Sequence, residues 1–440
     1  MQSRLRTILA AAIWSFLAIA HAVAAETASK TNVILILADD FGYECVAANG
    51  GTSYKTPNLD RLAAEGMHFE HCYAQPLCTP TRVQLLTGAY NVRNYTRFGE
   101  MDQKLTTIAN LFQRAGYATA VAGKWQLGRD AKLPQKFGFE ESCLWQHTRR
   151  PPRYANPGLE YNGVARDFAK GEYGPDLVND FALDFVARRK DKPFFLFYPM
   201  LLTHGPFQPT PDSAAWDPAA RGEQASDRRH FAEMVAYMDK LVGKLVSRVD
   251  DLGLAKNTLI VFVGDNGTAR GITSRFRGQR YRGGKGSTTA AGMHVPLLVR
   301  WPGTAEAGLV CGDLVDTTDF LPTLCAASGV EPPRDMLLDG HSFLPQLRGE
   351  KGEPRAWIYC WYSRDGRPAA AQEFAASKQL RLYRDGRMFD IVHDVAEATP
   401  LEREKLTAGQ REDAKRLQSA LAKYSDARPK HLTQSAENSP

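Results

Sequence analysis

The chain has 440 residues, a formal net charge of +6 and seven cysteines. This length suits one large domain with a smaller one, and the absence of a long charged or repetitive tract excludes a low-complexity or repeat protein. The mild positive charge says little about partners unless it is clustered.

Residues 1–25 have the pattern of an export signal. Arg4 and Arg6 form a basic start, "ILAAAIWSFLAIA" (8–20) is the apolar run, and "AVAA" (22–25) offers small residues for cleavage. The apolar run is short for a membrane span. We therefore predict an exported protein, periplasmic or secreted, without stable membrane insertion; an uncleaved anchor is the alternative.

Five apolar runs alternate with amphipathic segments along the chain. Rich in Val, Ile, Leu and Phe, they predict strands buried on both faces of a parallel sheet: "NVILIL" (32–37), "YATAVAG" (117–123), "PFFLFYPML" (193–201), "TLIVFV" (258–263) and "VPLLVRW" (295–301). Helices are predicted at 56–66, 106–116 and 227–253. This alternation indicates an α/β sheet covered on both faces.

The pattern changes at about residue 345, which divides a catalytic domain (26–345) from a small C-terminal domain (346–424). Two stretches, 356–363 and 378–392, contain strand-like pieces around "RDG" turns and predict a small antiparallel sheet. A polar helix is expected at about 401–424, and the tail from 425 to 440 is expected to be disordered.

Polar side chains follow four of the predicted strands. In chain order these are Asp39 and Asp40, then Lys124 and Gln126, then His204, then Asp265 and Asn266. Ligands of open α/β sheets bind outside the carboxyl ends of the strands. The pattern therefore predicts one functional edge.

The oxygen-bearing side chains at this edge, Asp39, Asp40, Asp265 and Asn266, are hard donors suited to calcium or magnesium. Three crowded carboxylates repel one another unless a divalent cation or basic side chains neutralise them. A single Asp-Asp pair is usually a turn or a cap, but two polar pairs after two buried strands favour a metal site.

Cys78 begins a helical stretch, "CTPTRVQLLTG" (78–88), where backbone amides favour an anion. Arg82 lies one turn on, and Lys124, His204 and Lys285 add positive charge. A nucleophile among a cation, a helix N-terminus and basic side chains describes a site for a tetrahedral oxyanion ester. The alternative is that Cys78 simply packs in the core.

"CTPTR" (78–82) resembles the sulfatase signature C-x-P-x-R, in which the cysteine is converted to formylglycine (3-oxoalanine) by the formylglycine-generating enzyme. Other blocks similar to the family follow its order: "LILADDFGY", "AGKWQLG", "LLTHGPFQPTP", "VFVGDNGT" and "GGKGSTTAAGMHVPLLVRWPG". They extend from about 32 to 303, and the region after "GHSFLPQL" resembles the family's small C-terminal domain. The resemblance implies an alkaline-phosphatase-like fold with one calcium ion.

The resemblance also implies roles for individual residues. The metal ligands would be Asp39, Asp40, Asp265, Asn266 and the modified Cys78. One hydroxyl of the aldehyde hydrate at position 78 would attack sulfur, and the other would then drive sulfate release.

Arg82 would hold this hydrate. Lys124, His204 and Lys285 would bind sulfate oxygens, with His204 or Lys285 protonating the leaving group.

Gln126 departs from the family pattern, which usually has His in the "GKWxLG" block. Glutamine can donate a hydrogen bond but cannot carry a proton. The base for sulfate release is therefore open, and His147 and His294 are candidates. Thr81, where Ser is commonest, is a milder change.

Two segments are candidates for selecting the substrate. "RGITSRFRGQRYRGGK" (270–285) contains Arg275 and Arg277 and is either a solvated loop or a rim that attracts a polyanion. "CLWQHTRRPPRYANPGLEY" (143–161) places aromatic side chains beside arginines, which suits a sugar ring, although a plain surface loop is the alternative. No motif indicates nucleic-acid binding.

The sequence thus predicts an exported, calcium-dependent sulfatase acting on a sulfated small molecule or, more specifically, a carbohydrate. The alternatives are a phosphate or phosphonate monoester hydrolase of the same fold and a catalytically silent protein that binds sulfated glycans. The oligomeric state and the pairing of the seven cysteines are left open.

Overall fold

A computed structural model describes residues 30–146, 148–220 and 224–437; the predicted export signal and His147 lie outside these ranges. The strands are β1 (Asn32–Ala38), β2 (Met67–Tyr73), β3 (Ala118–Lys124), β4 (Glu141–Trp145), β5 (Gly158–Tyr161), β6 (Val164–Asp167), β7 (Phe194–Pro199), β8 (Thr258–Gly264), β9 (Thr273–Phe276), β10 (Gln279–Arg282), β11 (His294–Arg300), β12 (Leu309–Asp316), β13 (Ile358–Tyr362), β14 (Gln372–Ala376), β15 (Leu380–Tyr383) and β16 (Met388–Asp390). The α-helices are α1 (Pro57–Ala64), α2 (Cys78–Thr87), α3 (Asn91–Asn94), α4 (Ile108–Arg114), α5 (Leu133–Lys136), α6 (Gly174–Arg188), α7 (Phe231–Asp251), α8 (Ala290–Met293), α9 (Phe320–Ser328), α10 (Leu344–Leu347), α11 (Ala408–Lys423) and α12 (Lys430–Glu437).

A ten-stranded sheet forms the centre of the large domain, in the order β12-β2-β11-β8-β1-β7-β3-β4-β5-β6. The block β8-β1-β7-β3-β4 is parallel. By contrast, β11 runs antiparallel to both neighbours, and β5 and β6 continue the far edge antiparallel. The predicted large, mostly parallel sheet flanked by helices is confirmed, and all five predicted strands lie within it.

Strand β1 shows why the sheet is covered on both faces. Val33, Leu35 and Leu37 pack in one core layer, with apolar residues of α2, α4 and α9. Ile34 and Ile36 pack in the other, with residues of α1, α6 and α7. Because strand side chains alternate between faces and burying each of these contributes about 1.5–3 kcal/mol, a run of apolar residues is stable here as a central strand.

Strand β2, "MHFEHCY", was not predicted from the sequence. Met67 and Phe69 are buried, whereas His68 and Glu70, which alternate with them along the strand, are half-buried. The segment pairs with β11 on one side and β12 on the other. Polar side chains near the margin of the sheet can reach solvent, so β2 tolerates them. Because the strand is not uniformly apolar, its sequence lacks the pattern that identified the central strands.

The C-terminal region contains the predicted antiparallel sheet, in the order β13-β14-β15-β16. Helix α11 packs on it, with Leu417 and Leu421 buried. Helix α12 lies in the segment 425–440 that was expected to be disordered. Leu432 is buried there, and the Arg428 guanidinium stacks over the Trp361 ring at 4.3 Å and donates to the Gly366 carbonyl at 2.7 Å. These two anchors explain the difference.

All seven cysteines are free thiols in the structure, and six of them are buried. Within the described ranges, no helix combines the length and the apolarity needed to cross a membrane.

Candidate active site

The predicted functional side chains converge at the carboxyl edge of the parallel block. They come from strand ends and one helix start: Asp39 and Asp40 after β1, Lys124 at the end of β3, His204 after β7, Asp265 and Asn266 after β8, and Cys78 at the start of α2. Backbone bonds continue the sheet beyond its strands, from Asp265 N to Ala38 O (2.9 Å) and from Asp39 N to Leu202 O (3.0 Å). These bonds fix the loops that hold the side chains.

Each of the three carboxylates is paired with a basic side chain. Lys124 Nζ donates to both oxygens of Asp39, at 2.9 and 2.7 Å. Arg82 Nη2 donates to Asp265 Oδ2 at 3.0 Å with both side chains fully buried, and Lys285 Nζ donates to Asp40 Oδ2 at 2.7 Å. Three buried anions can stay together because three cations neutralise them.

The pKa values of two carboxyl groups diverge within this cluster. Burial and the neighbouring Asp39 carboxylate raise the pKa of Asp265 to about 7, although Arg82 opposes the rise. Burial also disfavours the charged form of Asp39, yet Lys124, His204 and Arg82 together hold the pKa of Asp39 well below its usual range. The two carboxyl groups thus have shifts of opposite direction, because the basic side chains outweigh burial at Asp39 but not at Asp265.

The donors at this edge fit the predicted cation. Asn266 donates through Nδ2 to Asp40 Oδ1 and to Gly267 O, both at 2.9 Å. Its Oδ1 is buried and has no hydrogen-bond partner among the described residues, which costs about 1–3 kcal/mol unless a ligand satisfies it. Ligand atoms of Asp39, Cys78 and Asp265 lie within 4.8 Å of one another. Carboxylate and amide oxygens are the donors that Ca²⁺ and Mg²⁺ prefer.

Cys78 lies at the first turn of α2, at the bottom of a cavity, and is 1% exposed. Thr81 Oγ1 fixes this turn by donating to the Asp265 carbonyl at 2.6 Å and accepting from Gln75 N at 2.9 Å. Burial raises the pKa of the Cys78 thiol, with Lys124 opposing. As encoded, Cys78 is a protonated thiol and so a weak nucleophile.

Arg82 connects two strand ends in addition to facing Cys78. Its Nη1 donates to the Lys124 carbonyl and its Nη2 to Asp265, so it ties the end of β3 to the residue after β8. Its Nε is buried without a partner in the described part of the chain, which leaves one donor for a group at position 78.

His204 lines the same cavity. Its Nδ1 contacts the Gly205 carbonyl at 2.6 Å, and its Nε2 lies 3.9 Å from Asp40 Oδ2. Burial and the charge of Lys124 lower the pKa of His204 to about 4. For Lys285, Asp40 and Asp39 raise the pKa in spite of burial.

Gln126 also lines the cavity with Cys78. Its backbone lies in the left-handed region (φ 58°), which is uncommon for residues other than glycine. Its carbonyl accepts from Thr79 Oγ1 at 3.4 Å, which links it to α2. The substitution of Gln for His is thus in the cavity and not beside it.

His294 is not near this cavity and does not replace the missing histidine. Its ring stacks on Tyr43 at 4.0 Å and on Tyr73 at 5.1 Å, and its Nε2 donates to the Glu70 carbonyl at 2.8 Å. Burial lowers its pKa to about 3. His294 is a half-buried, neutral residue that packs among aromatic rings.

Arg275 and Arg277 were expected at the rim of the cleft, but neither is among the described residues that line the cavity. Their segment forms a hairpin, β9–β10, which packs beside Gly50 and Thr52: Thr52 N donates to Arg275 O at 3.0 Å, and Arg277 N donates to Gly50 O at 3.0 Å. The hairpin thus packs Arg275 and Arg277 beside residues 50–52, whereas Lys285, at the end of the same basic stretch, lines the cavity.

The cavity, of about 450 Å³, is instead completed by residues that lie outside the family motifs. Trp145, Arg150 and Arg153 come from the alternative segment 143–161, and Phe98 and Arg364 come from two further loops. Arg364 belongs to the C-terminal region. The aromatic and basic composition of 143–161 was a sequence signal for Trp145, Arg150 and Arg153. Nothing in the sequence near Phe98 or Arg364 indicated that these two residues line the same cavity.

Comparisons with known proteins agree with this geometry. A family model described as Sulfatase matches residues 31–330, and one described as N-sulphoglucosamine sulphohydrolase, C-terminal, matches 287–424. The chain is 32% identical over 373 residues to N-acetylgalactosamine-6-sulfatase of Mus musculus, covering 77% of this chain and 70% of that protein. It is 33% identical over 400 residues to arylsulfatase A of Homo sapiens, covering 79% and 73%.

The solved structure of Ps i-CgsB superimposes with a TM-score of 0.75 at 27% identity, covering 91% of this chain and 94% of that one. The family model spans more than half of the chain, and the curated relatives exceed 30% identity over most of their length. This chain therefore belongs to the sulfatase family of sulfuric ester hydrolases, in the alkaline-phosphatase-like superfamily.

Proposed function

We propose that this sulfatase is exported and hydrolyses sulfate monoesters of a carbohydrate, using Ca²⁺ and a formylglycine formed from Cys78 by the formylglycine-generating enzyme. The ion would be held by Asp39, Asp40, Asp265 and Asn266, together with residue 78. One observation carries the proposal. Cys78 lies in a cavity lined by basic side chains, beside three buried carboxylates and the Asn266 amide oxygen, which has no hydrogen-bond partner among the described residues.

The cation and the aldehyde at position 78 would each supply one kind of chemistry. The cation would stabilise negative charge on the sulfate, and a hydrated aldehyde would supply the nucleophilic oxygen that a protonated thiol cannot. All other functions fall to the side chains of this protein.

Three basic side chains are placed to bind the sulfate group. Lys124 and Lys285 reach Asp39 and Asp40 from two sides of the cluster, and His204 faces the same carboxylates. The ten-residue helix α2 directs its N-terminal amides to position 78, which favours an anion there. We infer that these groups orient the ester, with Lys285 or His204 delivering a proton to the leaving alcohol.

Two further observations support a carbohydrate substrate. Trp145 and Phe98 are among the residues that line the cavity, and aromatic side chains suit the apolar side of a sugar ring. The relative N-acetylgalactosamine-6-sulfatase is named for a sugar sulfate.

The direct test is the mass of the tryptic peptide 62–82 from protein made in its natural source or together with the formylglycine-generating enzyme. We expect an aldehyde at Cys78 and an unmodified thiol at Cys72, which lies in the same peptide and serves as an internal control. Cys78→Ala should abolish sulfate release from an aryl sulfate, whereas Cys311→Ser, at a half-buried thiol elsewhere, should retain it. An intact thiol at 78 in active protein would refute the mechanism.

A comparison of the sulfate and phosphate esters of one alcohol checks the reaction class on the same preparation. We expect the sulfate ester to have the higher kcat/KM; a preference for phosphate would contradict the proposal.

A further inference from the structure

Three arginines line the active-site cavity without a role in the sulfate-binding cluster. Arg150 and Arg153 come from the connection between β4 and β5, and Arg364 comes from the turn after β13. No acidic residue is among the described residues that line the cavity. Its mouth is therefore strongly cationic beyond what one sulfate monoester requires.

Some surface arginines of this protein are neutralised by a neighbouring carboxylate. Arg93, Arg97 and Arg188, for example, each form an ion pair with a carboxylate at 2.6–2.9 Å. Within the described ranges, no ion pair is formed by Arg150, Arg153 or Arg364, and Arg153 Nη1 is buried without a hydrogen-bond partner. A buried, unsatisfied guanidinium nitrogen is costly unless a ligand satisfies it.

The arginines are held in position by contacts that leave their charge available. Arg153 stacks over the Trp145 ring at 4.1 Å, and Trp145 Nε1 is fixed by the Pro151 carbonyl at 2.8 Å. Arg364 stacks over Phe98 at 5.3 Å. The Arg364 carbonyl accepts from Phe98 N at 2.9 Å and from Tyr95 Oη at 3.0 Å. These ring contacts orient the two guanidinium groups, and Arg153 Nη1 is left without a hydrogen-bond partner among the described residues.

Arg150 is also constrained. Its backbone has φ 55°, in the left-handed region, and its N–H donates to the Gln146 carbonyl at 2.8 Å. Such a conformation costs about 1–3 kcal/mol for a residue other than glycine and concentrates at functional sites.

We propose that Arg150, Arg153 and Arg364 bind a second anionic group of the substrate, a carboxylate or an additional sulfate on the same or the adjoining sugar. This inference rests on the proposed sulfatase function and narrows its substrate class to polyanionic glycans. The ester sulfate lies at Cys78, and the second anion lies at the cavity mouth between the stacked guanidinium groups. Neutral sugars with one sulfate leave these charges unpaired.

The test compares matched substrates on protein whose peptide 62–82 carries the aldehyde. Monosulfated hexosamines are paired with counterparts that carry one more sulfate or a linked uronate, which separates the two possible anions. We expect the wild type to prefer the dianionic member in kcat/KM by about tenfold or more, since a charge-assisted hydrogen bond contributes at least that factor. The preference should fall as salt concentration rises.

Arg153→Gln and Arg364→Gln are two independent variants from different loops, and each should reduce the ratio of the two kcat/KM values toward one. Arg149→Gln is the matched control, because Arg149 is exposed, pairs with Asp167 at 2.6 Å and is not a lining residue. It should keep the wild-type ratio. Equal kcat/KM values for both substrates in the wild type, or an unchanged ratio in both variants, would overturn the inference.

Failure of the proposed function would look different, because neither member of any pair would release sulfate. Binding of the same pairs to Cys78→Ala protein, measured by calorimetry, then still tests the subsite. Tighter binding of the dianion that is lost in Arg153→Gln supports it, and equal affinities refute it.

Discussion

At the scale of single residues, Gln126 is the position where this chain departs from its family. Its φ of 58° is a conformation in which His is several-fold enriched among residues other than glycine, so His should fit without moving the backbone. A histidine there could also carry a proton. We expect Gln126→His to retain or raise kcat for sulfate release, with the usual contribution of general acid–base catalysis, about 10²–10⁴-fold, as the upper limit.

Steady-state turnover of an aryl sulfate measures this effect, with Gln126→Leu as a control that removes the hydrogen-bonding group and should lower kcat. If Gln126→His lost turnover while its thermal midpoint stayed unchanged, the glutamine would be part of a different proton path.

At the scale of elements, the start of β11 makes stability sensitive to acid. The His294 ring stacks on Tyr43 and on Tyr73, and the loss of solvation lowers its pKa to about 3 from 6.5. Because the folded-state pKa is depressed, the unfolded chain binds the proton first as pH falls. The stabilising contribution is therefore complete above about pH 6.5 and is lost progressively toward pH 3, at up to about 1.4 kcal/mol per pH unit.

Urea unfolding at pH 7 and pH 5 should show this loss in the wild type and a smaller loss in His294→Gln. Tyr43→Leu removes the stacked ring but keeps the imidazole, so it should be less stable at both pH values and retain most of the pH dependence. An identical pH dependence in the wild type and His294→Gln would exclude His294 as its source.

At the scale of the whole molecule, the proposed cation joins segments that are far apart in the chain. Asp39 and Asp40 lie more than 220 residues before Asp265 and Asn266, and Asn266 Nδ2 already reaches Asp40 Oδ1. An ion held by both segments binds only the folded protein. It therefore raises the free energy of unfolding by about 2.7 kcal/mol when the ion concentration is one hundred times its Kd. We expect calcium to raise Tm and a chelator to lower it.

Asn266→Ala should weaken this calcium-dependent shift, because it removes the unpartnered Oδ1. Asn257→Ala serves as the control, since the Asn257 side chain bonds only the Lys30 carbonyl among the contacts described. Calcium-independent Tm values in protein shown to be free of bound metal would contradict the predicted site.

The C-terminal region is also tied to the large domain through a buried pair. Arg355 Nε donates to Asp319 Oδ2 at 2.9 Å, and Arg355 Nη1 donates to Tyr90 Oη at 2.7 Å. Leu314 and Arg355 form a β-bridge. Tyr95 Oη and Phe98 N also bond the Arg364 carbonyl. The C-terminal region therefore completes a cavity whose other lining residues lie between positions 77 and 285.

The sequence by itself determined four of the five strands of the parallel block, β1, β3, β7 and β8, and the residues at their ends; β4 was not predicted. Runs such as "NVILIL" are apolar on both faces, and the position after a parallel strand is set by chain direction, so Asp39, His204 and Asp265 could be placed at one edge from local pattern alone. The order of the family blocks then identified the chemistry expected of Cys78.

Only the tertiary structure decided which charges face the cavity. Arg275 and Arg277 looked like a rim in the sequence, but the pairing of β9 with β10 directs them to Gly50 and Thr52. Arg153 and Arg364 are over 200 residues apart, and their approach depends on the docking of two loops. Local sequence indicates backbone preference and burial pattern. The approach of two distant residues depends instead on the sum of many weak packing contacts between segments far apart in the chain.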